Sequence, residues 1–192
     1  MLPLICTWFS STWPYIRTLD SAISRELVQH RCSMLPDRLP FTASMEGRSI
    51  LSVVNVLVVD PFEPWRRFVL LILKDNPSLQ IIGVASDGLE TVQKAGELQP
   101  DLIVMEISLP KLNGIDAARQ IRSATPKCKI LFLSREPDPE VARFVLREGA
   151  RGYVLKEDLV KDLSVAVETV ILGKRFVSRG LAFYDFSDTA ES

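Results

Sequence analysis

Two textures alternate through the middle of the chain. Short, β-branched apolar runs are each followed by a longer stretch in which apolar positions return every three or four residues. Val53 to Val59, broken only by Asn55, runs into Asp60 and predicts a central strand buried on both faces. Glu63 to Lys74 predicts a helix, with Pro64 in its first turn and Phe68, Leu71 and Ile72 as its apolar stripe. The pair then recurs four times. The strands are Leu79–Ala85, Asp101–Glu106, Lys129–Ser134 and a short Gly152–Lys156. The helices are Gly88–Leu98, Ile115–Ser123, Pro139–Glu148 and one opened by Asp158. In that last helix Leu159, Leu163, Ala166, Val167, Val170 and Ile171 keep helical spacing. Asp87 and Asp138 stand where N-caps are needed, and Asn76-Pro77, Thr125-Pro126 and Gly149 stop helices. Strands alternating with helices predict an α/β doubly wound parallel sheet with right-handed crossovers and strand order 2-1-3-4-5.

The flanks lack this pattern. Residues 1–52 read as an irregular or loosely helical extension, punctuated by Pro14, Pro36 and Pro40. One helix is expected over Asp20–Arg31. Starts of translation at Met34 or Met45 would also explain the poor pattern, and a partner-binding segment using Trp8 and Trp13 is the sharper alternative. Residues 53–173 form the folded unit, and 174–192 read as a linker and acidic tail.

Composition narrows the function. A formal net charge of -1 argues against binding to nucleic acid or anionic lipid through overall charge. Cys6, Cys32 and Cys128 are far apart and show no metal-ligand spacing, as expected of a reducing, cytoplasmic setting. His30 is the lone histidine, so histidine catalysis and histidine-ligated metal are not expected. No apolar run approaches the ~20 residues of a spanning helix. Met1–Phe9 lacks the basic start of a signal peptide, so membrane association is not expected.

In an open parallel sheet, chemistry gathers at the carboxyl ends of the strands. There the first strand brings Asp60, the third Glu106, the fourth Ser134 and the fifth Lys156. Four segments carry a resemblance: Val-Leu-Val-Val-Asp60, Pro100-Asp-Leu-Ile-Val-Met-Glu106 with its continuation to Gly114, Ile130-Leu-Phe-Leu-Ser134, and Gly149-Ala-Arg-Gly-Tyr-Val-Leu-Lys156. In this order and spacing they resemble the response-regulator receiver domain of two-component signalling, a flavodoxin-like (βα)5 fold. Within it, they look most like the subfamily that carries a LuxR-type helix-turn-helix output domain. Gly173-Lys-Arg-Phe-Val-Ser178 resembles the start of that subfamily's linker, and the chain stops about where the output domain would begin.

The resemblance implies roles. An aspartate at position 106 would accept a phosphoryl group. Mg²⁺ would be held by that aspartate, by acids at 60 and 61, and by the Ser108 carbonyl. Ser134 would be the hydroxyl and Lys156 the cation that grip the phosphoryl oxygens. Tyr153 holds the aromatic switch position, and Pro110 and Gly114 hold the acceptor loop.

Two positions depart from the family pattern. Glutamate stands at 106 and proline at 61. The extra methylene displaces the carboxylate by about 1–1.5 Å, and misplacement of that order is costly in phosphoryl transfer. Proline offers no side-chain oxygen to Mg²⁺, so metal binding is expected to be weak or lost. No other cofactor is expected. The longer Glu106 is expected to reach toward Lys156 and Ser134, either imitating part of a phospho-aspartate or forming a structural ion pair in a retained scaffold. Asp60 would keep a polar role or only cap the loop after it.

The expected function is therefore an atypical, non-enzymatic receiver acting through phosphorylation-independent contacts with a histidine kinase, another signalling protein or a second copy. A phosphorylatable receiver and a flavodoxin-like cofactor binder are the alternatives. Gly83, Gly88 and Gly96 make no dinucleotide fingerprint. Arg66 and Arg67 read as a solvated helix face. Arg135, Arg143, Arg147 and Arg151 read either as solvated or as a partner surface around the fourth helix.

Overall fold

The computed structural model describes residues 53–184 and 186. The expectations for Asp20–Arg31, Met34, Met45, Trp8 and Trp13 lie outside these residues. Six strands and five helices are described: β1 (Val54–Val59), α1 (Glu63–Leu73), β2 (Leu79–Ala85), α2 (Gly88–Leu98), β3 (Leu102–Glu106), α3 (Gly114–Ala124), β4 (Lys129–Ser134), α4 (Pro139–Arg147), β5 (Gly152–Leu155), α5 (Leu159–Ile171) and β6 (Phe176–Val177). Short 3-10 turns cover Lys156–Asp158 and Arg179–Leu181.

The strands form one parallel sheet in the order β2-β1-β3-β4-β5-β6. Its two faces divide the apolar residues by alternation along each strand. Leu57, Val59, Ile103, Met105, Ile130 and Phe132 pack with residues of α2, α3 and α4 such as Ala95, Ala117, Ile121 and Val145. Val56, Val58, Leu102, Val104, Leu131 and Leu133 pack with Val69 and Leu73 of α1 and with Leu163, Val167 and Val170 of α5. All five residues of β3 are buried. Burial on both sides explains why the central strands read as unbroken apolar runs.

Caps agree with the sequence signals. The Asp87 carboxylate accepts the Glu90 N–H at 2.9 Å, and that of Asp138 accepts the Glu140 N–H at 2.8 Å. The segment expected to be a linker differs. Phe176–Val177 adds a sixth strand beside β5. Its anchor is buried and polar: the Ser178 hydroxyl accepts the Leu155 N–H at 3.0 Å and donates to Asp162 at 2.8 Å. Ser178 N–H in turn donates to the Tyr153 carbonyl at 2.9 Å. A two-residue strand has no readable period, and its partners lie across the fold, so the run from Gly173 resembled only a linker.

Candidate functional site

The carboxyl ends of β1, β3 and β4 and the turn after β5 meet at one edge of the sheet. β1 runs out at Asp60, β3 ends in Glu106 and β4 ends in Ser134. Lys156 opens the turn that follows β5 rather than closing the strand itself. Glu106 shares the parity of Leu102 and Val104, so it points to the side of α1 and α5.

Lys156 stands between the two carboxylates. Its Nζ donates to Glu106 Oε2 at 2.6 Å and forms a shorter ion pair with Asp60 Oδ2. All three residues are almost closed to solvent, at 1% exposure for Asp60, 4% for Glu106 and 6% for Lys156. Buried ion pairs persist only when the remaining polar atoms are also satisfied, because desolvation otherwise outweighs the Coulomb gain. Here they are satisfied. Asp60 Oδ1 accepts the Phe62 N–H at 2.8 Å. Glu106 Oε1 accepts the Ile107 N–H at 2.7 Å and the Ser108 N–H at 3.1 Å. Asp60 thus does both things open to it: it caps the loop and pairs with the lysine.

Glu106 reaches Lys156 as expected but does not engage Ser134. The Ser134 hydroxyl instead accepts the Glu136 N–H at 3.0 Å, turning the loop after β4. The Tyr153 hydroxyl donates to the Glu136 carbonyl at 2.6 Å, so serine and tyrosine hold the same loop residue. Tyr153 is fully buried. Burial pushes its phenol above the usual range, a hydrogen bond with Ser134 opposes this, and the charges of Glu136, Glu106 and Asp138 add to the rise.

The loop from Glu106 to Gly114 is tightly folded. Gly114 N–H donates to the Ile107 carbonyl at 2.8 Å, and a Cβ at 114 would stand 2.5 Å from the Glu106 carbonyl oxygen, so only glycine fits. The Pro110 carbonyl accepts the Gly88 N–H at 3.2 Å, tying the loop to α2. Lys111, at φ 63°, pairs with Asp87 at 2.6 Å. The Glu90 N–H first, and then Lys111, hold the Asp87 carboxyl below its usual range.

One residue at the site, Trp65, has no counterpart among the sequence expectations, and a second, Arg66, departs from its expected solvated face. Arg66 is half-buried, and its guanidinium donates to the Asp60 carbonyl at 2.5 Å, so it is no solvated face. Arg67 is solvated, paired with Glu63 on the helix surface. The Trp65 ring lies 5.1 Å from the Lys156 ammonium. Their positions in the first turn of α1, five and six residues beyond Asp60, were the available signal. Of the arginines around α4, Arg135 and Arg147 are exposed, while Arg143 pairs with Glu140 and stacks on Phe186. Among the described residues, no three His, Cys, Asp or Glu side chains cluster as metal ligands.

Residues 56–168 match the response regulator receiver domain family. The chain is 33% identical over 131 residues to the response regulator GacA of Pseudomonas viridiflava, covering 68% of this chain and 61% of that protein. It is 32% identical over 124 residues to the transcriptional regulatory protein DegU of Brevibacillus brevis, covering 65% and 52%. The chain thus spans between about half and three-fifths of the length of these relatives. Among solved structures, a LuxR-family response regulator from Aurantimonas is similar at a TM-score of 0.66 and 27% identity, over 71% of this chain and 97% of that one. The receiver domain of Thermotoga maritima CheB is similar at 0.58 and 30%, over 62% and 97%. With the sheet order, the strand-end residues and the match all in agreement, the chain belongs to the response regulator receiver domain family and is a signalling module of the two-component type.

Proposed function

We propose that this receiver signals without phosphorylation, through protein contacts, with Lys156 acting as a built-in counter-ion between Asp60 and Glu106. The bridging ammonium carries the proposal. Mg²⁺ chemistry needs an open set of oxygens with near-octahedral geometry. Here one candidate ligand is Pro61, which has no side-chain oxygen. The two remaining carboxylates already share a cation, and one Glu106 oxygen is taken by two backbone N–H groups. These residues do not fit the metal, and no phosphotransfer step is assigned to them. Glu106 draws the lysine and the loop N–H groups toward itself with a single fixed charge. That is part of what a phosphoryl group would do with about two charges. The contact with Ser134 is missing from this imitation.

The partner is a histidine kinase or another signalling protein, or a second copy of the chain. A transcriptional role like that of DegU would need residues beyond the receiver. A phosphorylatable receiver is the competing reading, favoured by the presence of Ser134, Tyr153 and Lys156 at the same edge. One experiment separates the two. Amide NMR spectra of the full chain are recorded with Mg²⁺ and beryllofluoride, and with Mg²⁺ and a small phosphodonor. Unchanged spectra are expected; shifts clustered at Glu106 and Ser134 would refute the proposal.

A further inference from the structure

The ion triad leaves one side of the ammonium unexplained. Two carboxylates take two directions around Lys156 Nζ, and the Trp65 ring stands over it at 5.1 Å. An indole face is the strongest aromatic partner for a cation, and more so away from water. The ring is held from several directions. Pro64 sits in the first turn of α1, and the Trp65 N–H donates to the Phe62 carbonyl at 3.0 Å. Phe68 meets the ring edge-on, with centroids 6.0 Å apart at 61°. One residue further on, Arg66 ties the same turn to the Asp60 carbonyl. The first turn of α1 is thereby fastened to the end of β1 that carries Asp60.

We infer that Trp65 is a positioning residue for Lys156: its indole holds the ammonium in the bridging place between Asp60 and Glu106 and fills the side from which water would enter. The inference rests on the proposed function for its purpose, though its geometry stands without it. Two carboxylates and one ammonium carry a net negative charge, so a further anion on the open side of the lysine would be unfavourable. A π face attracts the cation without adding another anion. Pro61 and Phe62 are exposed, whereas Trp65 is partly buried against the ammonium. The alternative is that Trp65 is only a partly buried member of the apolar cluster between β1, α1 and α5.

NMR of the full chain with ¹⁵N-labelled lysine decides between these roles. In the unaltered protein the Lys156 ammonium protons are expected to exchange slowly, to be shifted upfield by the ring, and to show a nuclear Overhauser contact with Trp65. Trp65→Leu keeps apolar bulk but removes the π face. It is expected to abolish the upfield shift and to speed ammonium exchange by about tenfold. Trp65→Phe is expected to restore an intermediate shift and slower exchange. Absence of the contact in the unaltered protein overturns the inference, and this holds even if Trp65→Leu does not fold. A Trp65→Leu spectrum with the original shift and exchange overturns it too, as does a Trp65→Phe variant that exchanges no more slowly than Trp65→Leu. Phosphoryl uptake at Glu106 would overturn the proposed function while leaving the lysine–indole contact in place.

Discussion

Removing either end of the Glu106–Lys156 pair has unequal consequences, because the site holds two anions and one cation. Glu106→Gln leaves Asp60 and Lys156 as a neutral pair. The glutamine oxygen can still accept the Ile107 and Ser108 N–H groups that Glu106 accepts, but its N–H₂ then faces the Lys156 ammonium as a second donor. What is lost is one charge-assisted hydrogen bond of 2.6 Å. Such bonds contribute about 1.5–3 kcal/mol, and relief of the repulsion between the carboxylates offsets part, so about 1–2 kcal/mol is expected. Lys156→Met is different. Among the described residues, no other side-chain cation touches either carboxylate, so both are left buried and unpaired. Breaking a buried pair in this way costs about 3–5 kcal/mol. Urea titration of the full chain measures both. Thermal midpoints should follow, falling by about 2–8 °C for Glu106→Gln and about 6–20 °C for Lys156→Met at about 2–4 °C per kcal/mol. The double variant should cost less than the sum, since only one carboxylate is then unpaired. Equal costs for the two single variants, or a reversed order, would refute the single-cation account of the site.

Other consequences follow from geometry elsewhere. Gly88→Ala would set a Cβ 1.9 Å from the Leu112 carbonyl oxygen, so it should destabilise by about 1–3 kcal/mol or more, with chemical-shift changes centred on residues 108–112. Ser178→Ala breaks the bonds from Leu155 and to Asp162 and should cost about 1–3 kcal/mol; hydrogen exchange should quicken at the Leu155 and Tyr153 amides. Asp87→Asn keeps a good cap but removes a carboxyl whose native pKa is lowered. That carboxyl stabilises the fold above its ordinary pKa, and the contribution is lost as pH falls through the native value. The penalty of Asp87→Asn, read from urea midpoints, should therefore be largest at neutral pH and vanish in acid. Burial pushes the Cys128 thiol up to about 12; with Cys6 and Cys32 replaced by serine, a disulfide reagent at neutral pH should react only after unfolding.

Sequence alone determined the architecture of this protein, because the information is local. Unbroken runs such as Val56–Val59 and Leu102–Met105 announce strands buried on both faces, and the helical stripes between them require a parallel, doubly wound sheet. The site's membership was legible for the same reason: Asp60, Glu106 and Ser134 end their strands, Lys156 follows the last, and parallel strands deliver their ends to one edge. The tertiary structure decided how those groups are partnered. Lys156 and Asp60 lie 96 residues apart, and nothing in either segment says that one ammonium serves both carboxylates. The length of Glu106 predicts reach toward Lys156, and the carboxylate meets the ammonium. Ser134 was lost to Glu136, a competing backbone donor two residues away that already holds the hydroxyl. Trp65 and Arg66 looked like ordinary helix residues because their partners are a side chain across the sheet edge and a carbonyl behind it. Residues 176–177 looked like linker because two residues carry no period; a buried serine and aspartate make them a strand. Pattern sets which faces are buried, whereas the pairing of charges depends on distances that exist only once those faces are packed.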